Sequence, residues 1–120
     1  MTRQQSFTRI ENDLLPQFRK QISEAESIED VRNFFRYCVR ELFSQASGGR
    51  VVAGDEEISL VPEGEELFRI GERVRSTAAF AEIWEGSDLP QIVTRFAEAA
   101  RNRHRHLARN PEKTEAKIRM

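Results

Sequence analysis

The strongest helical patterning in the chain lies at Ser27–Ser47, SIEDVRNFFRYCVRELFSQAS. Ile28, Val31, Phe34, Phe35, Cys38, Val39, Leu42, Phe43 and Ala46 recur at helical spacing. At about 100° per residue they cover roughly half the circumference of a helix. Glu29, Asp30, Asn33, Arg36, Arg40, Glu41 and Ser44 occupy the other half. A surface helix needs a narrower apolar stripe, so the pattern predicts a central helix with neighbours on two sides. Ser27 suits its N-cap, and Glu29 and Asp30 fall in the first turn, where the helix dipole favours negative charge. Ser47-Gly48-Gly49 ends it, because glycine accepts the left-handed conformation of a C-terminal cap.

Upstream, Phe7, Ile10, Leu14, Phe18, Ile22 and Ala25 mark one face of a first helix, interrupted by Pro16. Proline inside a helix removes a hydrogen bond and crowds the carbonyl four residues back. Two readings follow: a single helix kinked at Pro16, or a short helix and a restart with Asp13 as N-cap and Pro16 in the first turn. The stripe keeps its phase across the proline, which favours the kinked helix.

Downstream, Val51-Val52 and Ile58–Val61 are short β-prone runs around a turn-like Gly54-Asp55-Glu56-Glu57, and together they predict a hairpin. An isolated two-stranded hairpin is marginal in water, so it must pack on the helices or on another copy. Helical spacing returns from about Glu65, with Leu67, Ile70, Val74, Ala78 and Ala81 on one face. Phe80, Ile83 and Trp84 form a second apolar set on the same segment, and Ser76-Thr77 marks a break that reorients it. Gly86 ends that segment. Asp88 then reads as N-cap and Gln91 as its capping-box partner for a last helix, whose stripe is Leu89, Ile92, Val93, Phe96, Ala100 and Leu107. Asn110-Pro111 stops it. Residues 1–5 are expected to fray and 111–120 to form a flexible tail, leaving 1–110 as one helical domain.

Composition adds limits. A chain of 120 residues fits one domain with its own core, anchored by eight Phe, one Trp and one Tyr. The formal net charge is −1, so bulk attraction to nucleic acid or membrane is not expected. One Cys allows no internal disulfide, which suits a reducing compartment. The start, MTRQQSFTR, has no signal-peptide apolar stretch, and no window approaches the roughly 20 apolar residues of a membrane span. A cytoplasmic protein is expected.

Signals for catalysis are sparse. His104 and His106, two residues apart on a helix, face directions about 160° apart and cannot share a metal. Cys38 lies on the apolar half of the central helix and reads as a small core residue. No Glu-x-x-His pair suggests a di-iron bundle, and Gly48-Gly49 and Gly54 match neither a P-loop nor a dinucleotide fingerprint. No enzyme, cofactor or metal is expected.

Charge is distributed unevenly. Residues 1–87 hold 11 Lys/Arg against 16 Asp/Glu, and residues 88–120 hold 8 against 4. The run from Gly54 to Glu66 carries six acidic residues and no basic one. In RNRHRHLAR, residues 101–109, Arg101, Arg105 and Arg109 form a ladder opposite the apolar stripe. Such a ladder can solubilise the helix, dock on the acidic run in the same chain or another copy, or meet phosphates. It lacks interleaved aromatics for stacking bases.

The stretch RVVAGDEEISLVPEGEEL resembles the wing of winged-helix transcription regulators, where a hairpin leads through a Leu-Thr-Pro-Glu-Gly-like segment into a helix. The matching residues are Leu60, Val61, Pro62, Glu63, Gly64 and Leu67. The resemblance covers 18 residues and stops there. Ala25 to Val31 leaves little room for the turn of a helix-turn-helix. Phe34, Phe35, Tyr37 and Phe43 make the would-be recognition helix too apolar for a DNA groove, and Asp55, Glu56 and Glu57 would repel phosphates. The family is therefore not assigned.

These features predict a mostly α single-domain bundle of about four helices, with a small β-hairpin between the second and third. The function expected is a small non-enzymatic interaction or regulatory protein that self-associates as a homodimer or takes a protein partner, with no membrane. Phe80, Ile83 and Trp84 are the interaction candidates, since Trp is enriched at interface centres. The alternative is a nucleic-acid-binding protein using Arg101, Arg105 and Arg109.

Overall fold

A computed structural model describes residues 6–109 of the chain. Residues 1–5 and the predicted tail, 111–120, lie outside the described residues. The elements run α1 (Thr8–Glu24), α2 (Ile28–Ser47), β1 (Ile58–Leu60), β2 (Phe68–Ile70), α3 (Glu72–Arg75), α4 (Ala78–Trp84) and α5 (Leu89–Arg109). The mostly α fold with a hairpin between the second and third helices is the one the sequence predicts. Five helices appear because the third helical segment divides at Ser76-Thr77, where Thr77 Oγ1 accepts from the Phe80 N–H at 3.2 Å and starts α4.

α2 is the centre of the packing. Ser27 Oγ caps its N-terminus by accepting from Asp30 N–H at 3.0 Å, and Gly48, at φ +66°, closes its C-terminus in the left-handed region. Its wide apolar face meets α1, α5, α4 and β1. Val31, Phe35, Cys38, Val39, Leu42 and Phe43 are all buried there. α1 is one helix with exposed Pro16 inside it rather than two, and it places Phe18 edge-on to Phe96 of α5, with ring centroids 5.1 Å apart. A second tie between these helices is a bidentate pair in which Arg95 Nε and Nη2 donate to the buried Glu11 carboxylate at 2.6 and 2.8 Å.

The hairpin takes β1 from the predicted Ile58–Val61 run but pairs it with Phe68–Ile70 instead of Val51-Val52. Ile58 pairs with Ile70, Ser59 with Arg69 and Leu60 with Phe68, antiparallel, across a loop closed by Val61 N–H to Leu67 C=O at 2.6 Å. Asp55–Glu57 is a short 3₁₀ turn before β1, and Val51–Ala53 alternates buried, exposed, buried but pairs with no strand among the described residues. The helix expected from Glu65 begins only at Glu72. Leu67, Ile70 and Val74 fit a helical period, but Phe68-Arg69-Ile70 also alternates with period two, and short apolar runs do not distinguish the two. Gly71 stands at the N-cap of α3, where it comes close to Glu57. Its N–H bonds the Glu57 carbonyl at 2.7 Å, and a Cβ there would collide with the Glu57 carboxylate.

Asp88 also acts differently from expectation. It does not close a capping box with Gln91. Its carboxylate caps α1 instead, accepting from Phe7 N–H at 2.7 Å, Ser6 Oγ at 2.8 Å and Thr8 Oγ1 at 3.0 Å. Ser87 Oγ accepts from the Leu89 N–H at 3.1 Å at the start of α5 and donates to the Ile83 carbonyl at 2.6 Å.

Candidate functional site

Phe80 and Ile83 lie in the chain's own core, not on an open apolar face. Phe43 of α2 reaches across to Phe80 edge-on at 5.5 Å, and Trp84 stacks on Phe80 at 5.0 Å. The apolar face that sequence periodicity leaves unassigned is thus covered within one chain. Trp84 remains half-buried, edge-on to Phe68 at 6.2 Å. These two aromatics line a groove of about 590 Å³ bounded by the 64–68 segment and by Pro90, Thr94, Glu98 and Arg101 of α5. Arg75 also lines it.

The last turns of α5 carry the basic ladder. Its buried residues end at Ala100, so Arg105 and Arg109 are exposed and Arg101 is half-buried beside the groove. Arg103, between them, turns inward and its Nη2 donates to the Ala25 carbonyl at the end of α1, 2.8 Å away. Arg101 Nε, Arg103 Nε and His104 Nε2 are shut off from solvent without a hydrogen-bond partner among the described residues. Burial pushes the His104 imidazole below its ordinary value, the Arg32 charge adds to this, and Glu63 opposes both. Within the chain the acidic run divides: Glu63 acts on His104 and Glu65 and Glu66 share the groove with Arg101, but no ion pair joins the run to the ladder among the described residues. Asp55 pairs with Arg40 of α2 at 2.7 Å, and Glu57 lies 3.9 Å from Arg73 of α3.

A third surface was not legible in the periodicity. Tyr37 is 52% exposed and Val52 80% exposed, and they are the large apolar residues standing clear of the core among the described residues. Both line one shallow depression of about 340 Å³ with Arg40, Glu41, Ser44, Val51 and Ala53. The signal for Tyr37 is an aromatic out of phase with the α2 stripe. For Val52 it is the in–out–in burial of Val51, Val52 and Ala53, a strand-like alternation outside the hairpin.

Cys38 is buried, and burial pushes its thiol up to about 12, with the Glu41 charge adding to the rise. At neutral pH such a thiol is protonated. Among the described residues no group of three or more His, Cys, Asp and Glu side chains is placed to hold a metal ion. No helix among them is long and apolar enough to cross a membrane. Comparison with protein families, curated proteins and solved structures found no match to this chain.

Proposed function

We propose that this chain is a small non-enzymatic interaction module that self-associates through the Tyr37–Val52 face. The observation that carries the reading is the pairing of those two exposed apolar side chains in one depression, while the other large apolar residues described are buried or half-buried. Exposed apolar clusters on small proteins mark contact sites. A two-fold dimer is the simplest arrangement that covers such a patch, since one self-complementary surface suffices. The face is small, so the association is weak and concentration-dependent; stable interfaces bury more than about 1,000 Å². The reading assigns the protein to a reducing compartment such as the cytoplasm, where an unpaired thiol persists.

Sedimentation equilibrium from low to high micromolar concentration tests it. The expected result is a mass rising from 13.9 kDa toward twice that value. A mass that stays at 13.9 kDa throughout removes the reading.

A second reading has its own support in the donors at the end of α5. Exposed Arg105 and Arg109, continuous with Arg101, form a face that phosphates can approach. Fluorescence anisotropy with duplex DNA and single-stranded RNA at low salt decides between them. Salt-sensitive binding abolished by Arg101→Glu with Arg105→Glu would make nucleic-acid binding the function.

A further inference from the structure

The 50–56 segment has three properties that together specify how a second copy would sit. Its centre is strand-like. Val51 and Ala53 are buried, Val52 is exposed, and Gly54 is extended at φ −78°, ψ 172°. The Val51 N–H is bonded to Ser47 Oγ at 2.8 Å, but the backbone groups of Val52 and Ala53 have no hydrogen-bond partner among the described residues. A segment with strand-like alternation and free N–H and C=O groups is a template for another strand. Finally, the segment is polar in charge along its length, with Arg50 at one end and Asp55-Glu56 at the other.

We infer that two copies pair antiparallel through Val51–Gly54, with Val52 facing Val52 of the partner across a two-fold axis. This rests on the self-association reading and names its geometry. Antiparallel pairing brings the basic end of each segment beside the acidic end of the other, so the charges match only in this sense. Around a Val52–Val52 centre, Arg50 of one copy stands opposite Gly54 of the other, next to the 3₁₀ turn that carries the exposed Glu56, so its long side chain can reach that carboxylate. Glu56 has no ion pair of its own among the described residues, and the Arg50–Glu82 pair, at 2.7 Å, is exposed on both sides and easily exchanged. Parallel pairing would set Arg50 against Arg50 and Glu56 against Glu56. The two Tyr37 rings, each beside its own Val52, flank the paired strands and extend the apolar contact.

The inference is tested with the full chain by four variants at three exposed positions. Val52→Lys places like charges opposite each other and should weaken the dimer at least about tenfold in sedimentation equilibrium. Arg50→Glu should weaken it too, and Arg50→Glu combined with Glu56→Arg should restore it, since the swap rebuilds the cross-copy pair. Val52→Cys should form a disulfide-linked dimer with oxidised glutathione as oxidant, because directly opposed antiparallel residues lie within disulfide range. The native Cys38 is buried and gives no background. Circular dichroism confirms that each variant keeps the fold. A wild type that dimerises while Val52→Lys dimerises equally well and Val52→Cys does not cross-link would overturn this geometry and leave self-association standing. A wild type that never dimerises overturns both.

Discussion

Leu42 and Cys38 sit on adjacent turns of the same buried face, and each makes a sharp claim about the core. Leu42 is fully buried beneath α2. Leu42→Ala should cost about 2–5 kcal/mol, from lost burial and the cavity left behind. A denaturant titration showing a loss under about 0.5 kcal/mol would put the side chain at the surface, where effects are that small. The Cys38 thiol, pushed up to about 12, is protonated and covered at neutral pH. Ellman's reagent should leave it untouched in the native protein and modify it promptly once denaturant unfolds the chain. Fast modification of the native state would mean that α2 is not the centre of the packing. Both residues were readable from the sequence because the α2 stripe is long and strictly phased, and burial follows from phase. Tyr37 was not, since an out-of-phase aromatic can be covered by a neighbouring loop, and only the path of residues 50–54 decides that it stays open.

At the scale of elements, devices that act within a few residues were legible and those that join distant segments were not. The Ser27 cap, the Gly48 stop and the Thr77 restart each need partners no more than about four residues away, and each follows from residue chemistry. β2 was obscured because Phe68 and Ile70 satisfy two periods, and its partner Ile58–Leu60 competes with a nearer candidate, Val51-Val52. Asp88 shows the same limit, since the Phe7 N–H it accepts from is 81 residues away. That contact has a measurable consequence. Partial burial pushes the Asp88 carboxyl up, but the Phe7 N–H and the Ser6 and Thr8 hydroxyls outweigh it and hold the group below its ordinary value of 3.8. A depressed folded-state value contributes stability that is complete above 3.8 and is lost as pH falls from there through the folded value. Asp88→Asn should therefore lower stability at neutral pH and flatten the acid limb of the stability curve below pH 4. Because the carboxylate caps α1, Asp88→Ala should cost about 0.5–2 kcal/mol, the usual loss for a helix cap. Urea melts at neutral and acid pH check both, and an unchanged acid limb would show that Asp88 does not hold α1.

For the whole molecule, the question is which apolar surface remains once the chain has folded. Sequence periodicity pointed to Phe80, Ile83 and Trp84, but their exposure depended on whether α2 could reach them, and Phe43 does. Among the described residues, the large apolar side chains left open are Tyr37 and Val52, where α2 meets the 50–54 segment. The basic turns of α5 and the Trp84 groove lie on surfaces that do not share a lining residue with this one. Self-association and any contact made by α5 can therefore be separated by experiment. The most direct test is a heteronuclear NMR comparison of the amide resonances at low micromolar and millimolar concentration. The account predicts concentration-dependent shifts confined to Arg50–Glu56 and to α2 around Tyr37, with Phe80, Ile83 and Arg101–Arg109 unmoved. Resonances that do not depend on concentration, or shifts centred on α5 or the Trp84 groove, would contradict it.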